Sequence, residues 1–177
     1  YDFDENTGVA SNQQRLFISS DNKYPYGVEF SPDSQLLYVN SSNDLGANNS
    51  SAIHTSSLTQ FNLAASDIQA SEYRVDERQL YRGGLQLGPD GKIYRALSVS
   101  YNEGLPYLAV INKPNVIGSG CNYQHNAINL SPNLSSQGLP PFIQSLFNTE
   151  IDIIRNGESV TNLSLCNGET YILIADQ

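Results

Sequence analysis

At 177 residues, 39% of them hydrophobic and only 15% charged, the chain has the length and apolar content of a folded domain and not of a disordered tail. Eighteen acidic against nine basic residues give a net charge of -9, a field that repels phosphate backbones and anionic lipid surfaces and argues against a nucleic-acid partner. No run reaches the roughly 18 to 20 apolar residues that cross a bilayer, so no membrane insertion is expected.

Residues 1–4, Tyr-Asp-Phe-Asp, lack the basic and apolar stretches of an export signal and alternate as a strand does. A chain that opens in this way reads as a mature or excised piece of a longer polypeptide. The same segment matches Gln60-Phe61-Asn62-Leu63 further along.

The most informative phrase comes next. Gly27-Val28-Glu29-Phe30-Ser31-Pro32-Asp33 returns as Gly84-Leu85-Gln86-Leu87-Gly88-Pro89-Asp90, and a reduced copy begins at Gly138-Leu139-Pro140-Pro141-Phe142. The glycines are spaced by 57 and 54 residues, a period that marks stacked or radially arranged units. In each full copy an alternating strand leads into a Pro-Asp turn, where Pro presets φ and Asp bonds its own backbone. A return strand follows, Leu36 to Val39 or Ile93 to Ala96, and the first turn is one residue longer. Further strand candidates are Leu58 to Leu63, Tyr73 to Val75 and Tyr107 to Asn112. Four short strands per period match one blade of a β-propeller. Helical periodicity fills no full window, although Leu63 to Ala70 has room for a turn or two.

The Asn- and Ser-rich stretch from Asn40 to Ser57 reads as the longest loop, since its composition favours backbone solvation over packing. The whole chain leans the same way, with nineteen asparagines and neither Met nor Trp.

Residues with reactive or ligating side chains are few. His54 sits in the polar loop and His125 within Asn122-Tyr123-Gln124-His125-Asn126, neither beside a recognised nucleophile motif, and each reads as a solvated or hydrogen-bonded side chain. Asp33 and Asp90 hold equivalent turn positions, which backbone geometry explains without catalysis. Asp2, Asp4, Glu5 and Asn6 form a cluster of oxygen ligands of the kind calcium favours, but without EF-hand spacing, so a solvated turn is the expectation. Cys121 and Cys166 leave three states open: a mutual disulfide, stabilising by about 4 kcal/mol in the chain-entropy model, two thiols, or a partner outside the segment. Tyr24, Tyr26 and Tyr101, near loops, are candidates for stacking on sugar. Tyr38 and Tyr94 recur at one point of the repeat and are expected between blades. Five Asn-x-Ser sequons, at Asn40, Asn48, Asn49, Asn133 and Asn162, are what an Asn- and Ser-rich composition produces by chance.

Taken in order, Tyr26 to Asp33, Leu85 to Tyr94, Leu108-Ala-Val-Ile-Asn-Lys-Pro-Asn115, Gly120-Cys-Asn-Tyr123 and Gly138-Leu-Pro-Pro-Phe-Ile143 resemble the propeller of large secreted proteins of gliding, Bacteroidota-type bacteria. Those are gliding-motility-associated surface proteins and adhesins exported by the type IX secretion system, and the match spans about residues 1–147. In such proteins immunoglobulin- or PKD-like modules and a sorting domain follow. Asn162-Leu-Ser-Leu-Cys-Asn-Gly-Glu-Thr-Tyr171 resembles the opening of such a module, which implies a partner for Cys166 beyond Gln177. The chain departs from the family in having roughly three repeat units where about six to eight are expected, and no sorting domain. Both departures point to a truncated piece, a fragment, or assembly with another chain.

The expectation is therefore an all-β chain of four-stranded, antiparallel propeller blades, incomplete as a ring, over residues 1–147. A connection and the start of an immunoglobulin/PKD-like module follow over 148–177. Its expected role is non-catalytic, in adhesion, gliding-associated display or protein interaction at the bacterial cell surface, without cofactor, metal or catalytic residues. Other protein segments or chains completing the propeller, and surface carbohydrate, are the expected partners. A polysaccharide lyase or hydrolase and a structural subunit of an extracellular fibre are the alternatives.

Overall fold

Each Pro-Asp phrase closes a hairpin through its own side chains. In the computed structural model Asp33 Oδ1 accepts from the Ser31 hydroxyl at 2.6 Å and from the Gln35 amide at 3.1 Å, and the Leu36 amide donates to Ser31 Oγ at 2.8 Å. In the second copy Asp90 Oδ1 accepts from the Lys92 amide at 3.3 Å. Ser34 takes a left-handed φ of 58° where Gly91 takes 73°. The extra residue of the first turn is accommodated beyond that point: Ser31 N donates to the Leu36 carbonyl, whereas Gly88 N donates to that of Lys92.

The described residues are 1–43, 50–140, 153–155 and 158–160. Among them every regular element is a strand or a short 3-10 turn, so the expected all-β class holds. Strands β1 (Asp2–Asp4) and β2 (Val9–Ser11) form an antiparallel pair. Strands β3 (Tyr24–Phe30), β4 (Leu36–Ser42), β5 (Ser56–Asn62) and β6 (Tyr73–Arg78) form a four-stranded antiparallel sheet in chain order. A second such sheet holds β7 (Leu85–Leu87), β8 (Ile93–Ser98), β9 (Gly104–Ile111) and β10 (Tyr123–Asn129). Neither sheet closes on itself. The chain divides into two compact units, Tyr1–Phe142 and Ile143–Gln177. In the second unit the described residues are the antiparallel pair β11 (Ile153–Arg155) and β12 (Glu158–Val160). The module start expected over 148–177, including Cys166, otherwise lies outside the described residues, as do residues from Pro141 onward in the third copy of the repeat.

The two sheets register with one another. Val28 pairs with Val39 and Phe30 with Leu37, as Leu85 pairs with Arg95 and Leu87 with Ile93. The first strands meet at the repeat glycines. A Cβ on Gly27 would lie 2.5 Å from the Gly83 carbonyl oxygen and 3.1 Å from Gly84 Cα, and one on Gly84 would lie 3.3 Å from Gly138 Cα. Backbone runs on backbone there, which only glycine permits. The third copy starts against the second, since Gly84 N donates to the Gln137 carbonyl at 2.6 Å.

The inter-sheet core follows from alternation. Leu36, Tyr38 and Leu58 from the first sheet bury against Leu85, Ile93 and Ile111 from the second and against Cys121 of the 3-10 turn Gly118–Cys121. Each such side chain contributes roughly 1.5–3 kcal/mol of hydrophobic stabilisation. A smaller cluster of Leu80, Leu97 and Ala109 continues it.

One expectation needs correction. The polar stretch from Asn40 to Ser57 is not one loop: Asn40 to Ser42 continue β4, and Ser56 and Ser57 begin β5. All five are buried, and Ser41 Oγ lies 3.1 Å from Ser57 Oγ, with Ser20 Oγ 3.3 Å away on the other side of Ser57. Small hydroxyls satisfy one another across the sheet, so composition misled where strand pairing decided. The other predicted strands are present, β7 over the expected residues, while β3 reaches back to Tyr24, β6 on to Arg78 and β9 back to Gly104.

Candidate functional site

Polar side chains concentrate between the two four-stranded sheets. Alternation along β4 and β5 turns Tyr38 and Gln60 toward the second sheet. The Tyr38 hydroxyl donates to the Pro114 carbonyl at 2.9 Å and accepts from Gln60 Nε2 at 2.7 Å. Gln60 Nε2 also donates to the Val116 carbonyl at 3.0 Å, and its Oε1 accepts from Gly118 N at 2.8 Å. Tyr38 is fully buried, and that burial pushes its hydroxyl pKa well up, so it stays neutral. The expected position of Tyr38 between repeats is observed. Cys121, in the same core, carries a thiol whose pKa burial likewise raises, and it has no disulfide partner among the described residues.

Further out, Arg95 of β8 is 1% exposed and crosses to the first sheet. It donates to Asp76 Oδ2 at 2.8 Å, to the Tyr123 hydroxyl at 3.0 Å and to Ser56 Oγ at 2.7 Å. Arg78 forks onto both Asp76 oxygens, with Nε at 2.9 Å from each and Nη2 bonded to Oδ1. Burial works against the Asp76 charge, but the two guanidinium groups outweigh it and hold the carboxyl below its ordinary range. The result is an Arg-Asp-Arg group in which Asp76 and Arg95 are buried, Arg78 reaches solvent, and the carboxylate is already satisfied.

His125 borders this group. In β10 the register with β9 slips between Gln124 and Ile128, and Asn126 inside that bulge has a left-handed φ of 53°. Bulges of this kind re-aim side chains. His125 Nδ1 is buried without a partner, and burial followed by the nearby Arg78 charge lowers the pKa of the imidazole. His54 lies elsewhere in the unit: it is fully buried, not solvated in a loop, with its ring centroid 4.4 Å from that of Tyr81. Among the described residues His125 Nδ1 has no Ser or Cys partner.

The candidate carboxylates are engaged locally. Asp4 Oδ1 accepts from the Asn6 and Thr7 amides at 2.9 and 3.3 Å, and Asp2 Oδ2 accepts from Asn12 Nδ2 at 2.6 Å. Among the described residues no group of three or more His, Cys, Asp or Glu is placed to hold a metal. Asp90 accepts from the Tyr94 hydroxyl at 2.9 Å. Burial opposes the Asp90 charge, yet this bond and the Lys92 amide keep its pKa low. Tyr94 and Asp90 border an apolar groove of about 450 Å³ that Leu108, Leu139 and Pro140 complete. Tyr94, unlike Tyr38, is therefore only partly covered.

The candidate sugar-stacking tyrosines are all exposed, at 40% for Tyr24, 46% for Tyr26 and 49% for Tyr101. Tyr24 and Tyr26 project from strand β3 and not from a loop. The Arg82 guanidinium carbon lies 5.6 Å from the Tyr26 ring centre and 4.9 Å from that of Tyr81. Tyr26, Arg82, Tyr81 and His54 thus follow one another in contact, from the exposed Tyr26 ring to the fully buried His54, whose ring is tilted by 56° to that of Tyr81. Sequence reasoning missed Arg82, Asp76, Arg78 and Arg95. For Arg95 the signal was present, since it is the one charge in the otherwise apolar strand Ile93-Tyr94-Arg95-Ala96-Leu97. No model of a known protein family and no curated protein matches this chain.

Proposed function

We propose that the chain is part of a non-catalytic propeller-type recognition module on a secreted bacterial surface protein, acting in adhesion, display or protein interaction. The observation that carries this reading is how the ionisable groups are used. Asp33 and Asp90 bind their own hairpins, and Asp76 is neutralised by Arg78 and Arg95. General acid-base work needs a group free to exchange a proton with substrate. What faces solvent instead is aromatic and amide surface, with Tyr26 supported from behind by Arg82. Aromatic faces of this kind stack on sugar rings and anchor protein partners.

Successive four-stranded sheets joined glycine to glycine support a radial arrangement of blades. The resemblance to type IX-secreted gliding-motility proteins and to an immunoglobulin-like module after the repeats belongs to the same proposal. The test immobilises the full chain and measures binding to a glycan array and to bacterial surface polysaccharide, with turnover of the same polysaccharides followed in parallel. Binding that falls at least about tenfold in Tyr24→Ser/Tyr26→Ser, with no turnover, supports the proposal. Turnover that is lost in His125→Gln overturns it in favour of a polysaccharide-acting enzyme.

A further inference from the structure

The run Tyr24-Pro25-Tyr26-Gly27 does not follow the alternation of the rest of β3. Glu29 faces the second sheet, since its Oε2 accepts from the Leu87 amide at 2.8 Å, and so does Gly27, whose Cβ direction meets Gly83. Counted back in twos, Pro25 would share that face, and Tyr24 and Tyr26 would point the other way with Val28 and Phe30. The ladder to β4 breaks this count. Pro25 pairs with Ser41 and Gly27 with the very next residue, Asn40, so Tyr26 is an extra residue without a partner on β4.

The bulge changes where both rings go. Tyr24 pairs with Ser42, which pairs with Ser56, and Arg95 of the second sheet reaches the Ser56 hydroxyl at 2.7 Å. Paired residues share a face, so Tyr24 stands on the side of the second sheet. Tyr26 stands there too, because its ring centre lies 5.6 Å from the Arg82 guanidinium carbon, and residue 82 leads into β7. Arg82 is itself held from behind. The ring centre of the buried Tyr81 lies 4.9 Å from the same guanidinium carbon, and the Arg82 carbonyl accepts from the Ser98 hydroxyl at 2.7 Å. Two exposed rings of one repeat unit are thus turned toward the next unit, and one of them is braced by a fixed residue there.

We propose that Tyr24 and Tyr26 form one platform for a polysaccharide chain, which the β3 bulge aims and Arg82 braces, so that the site belongs to the joint between two repeat units and takes several sugar units at once. This ligand assignment rests on the recognition reading above. Two aromatic faces ending in hydroxyls, carried on a paired strand, stack on sugar rings and bond their hydroxyls. An anchor for a protein partner projects into a pocket and is enclosed there. Tyr26 instead has one side taken by Arg82, which leaves a flat ring for stacking and not a free knob. Arg82 is a positioning residue, since it acts on the ligand through the Tyr26 ring.

The test takes a glycan that the full chain retains on the array and titrates its oligosaccharides, of one to four sugar units, by calorimetry. Affinity is expected to rise at least about tenfold from the single sugar to the tetramer. Tyr24→Ser and Tyr26→Ser are each expected to weaken the tetramer at least about fivefold while moving the melting midpoint by less than about 2 °C. Arg82→Gln is expected to weaken it about threefold, and Arg82→Lys, which keeps a cation over the ring, to restore most of that loss. Equal affinity for one unit and for four overturns the proposal and leaves the recognition reading standing. So does tetramer binding that Tyr24→Ser, Tyr26→Ser or both Arg82 variants leave at the parent value. A chain that binds a protein and no glycan overturns the proposal by naming another occupant, and one that binds neither overturns the recognition reading with it.

Discussion

The two four-stranded sheets share strand order and a Pro-Asp turn between their first two strands, yet their corresponding faces meet different fates. On the second sheet the face bearing Leu85, Leu87 and Ile93 is closed by the first sheet, and Arg95 beside them is held by Asp76. On the first sheet the corresponding positions are Val28, Phe30, Leu37 and Val39, with no charge among them. An ion pair thus fastens the closed face of the second sheet, while the matching positions of the first sheet are apolar, with Val28 and Phe30 half exposed. The lesson is that repeat equivalence fixes where a joint lies, while the chemistry at the joint is chosen separately by each pair of neighbours.

The largest effect is expected where the ion pair is broken. Arg95→Ala leaves the buried Asp76 with Arg78 alone and should cost about 3–5 kcal/mol in denaturant unfolding, whereas Val39→Ala at the matching position should cost less. A loss below about 1 kcal/mol for Arg95→Ala would show that water replaces the guanidinium and that the ion pair is not needed. Next comes the apolar joint. Leu85→Ala should cost about 2–4 kcal/mol and Val28→Ala, half exposed, under about 0.5 kcal/mol; equal losses would dissolve the comparison.

The turns separate the sheets more gently. Gly91→Ser should destabilise by about 1 kcal/mol, while Ser34→Gly should stabilise by roughly 0.5 kcal/mol, because only the first turn holds a side chain at a left-handed φ. Thermal melts of both variants check this. The smallest effect is a slope. The folded pKa of His125 lies below its ordinary value of 6.5, so its contribution is complete above that pH. As pH falls from there the unfolded chain takes up the proton first, and stability declines until folded His125 titrates. His125→Gln should flatten that part of the profile. A further decline below about pH 4, from Asp76 with its depressed pKa, should remain.

Much of this architecture was legible because glycine and proline act locally. The repeat phrase located both hairpins, and the shared Tyr predicted that Tyr38 sits between sheets. The strand from Tyr123 to Asn129 was not legible, since Gln124, His125 and Asn126 break the alternation at a bulge. Burial of Ser41, Ser56 and Ser57 was hidden because a hydroxyl is polar in isolation and satisfied only when a distant strand supplies its partner. The Asp76 to Arg95 pair was hidden for the same reason. Its members are brought together by sheet stacking, which no single strand encodes.

The contact of Gly27 with Gly84, and of Gly84 with Gly138, has a consequence for how such a chain changes over generations. Because main chain rests on main chain there, the spacing between neighbouring units does not depend on what side chains the units carry. Residues on either side are free to diverge, and a whole unit can be gained or lost, without moving the pivot on which the next one turns. The cost of that freedom falls on one atom, since a single methyl group at Gly27 would collide with the adjoining backbone.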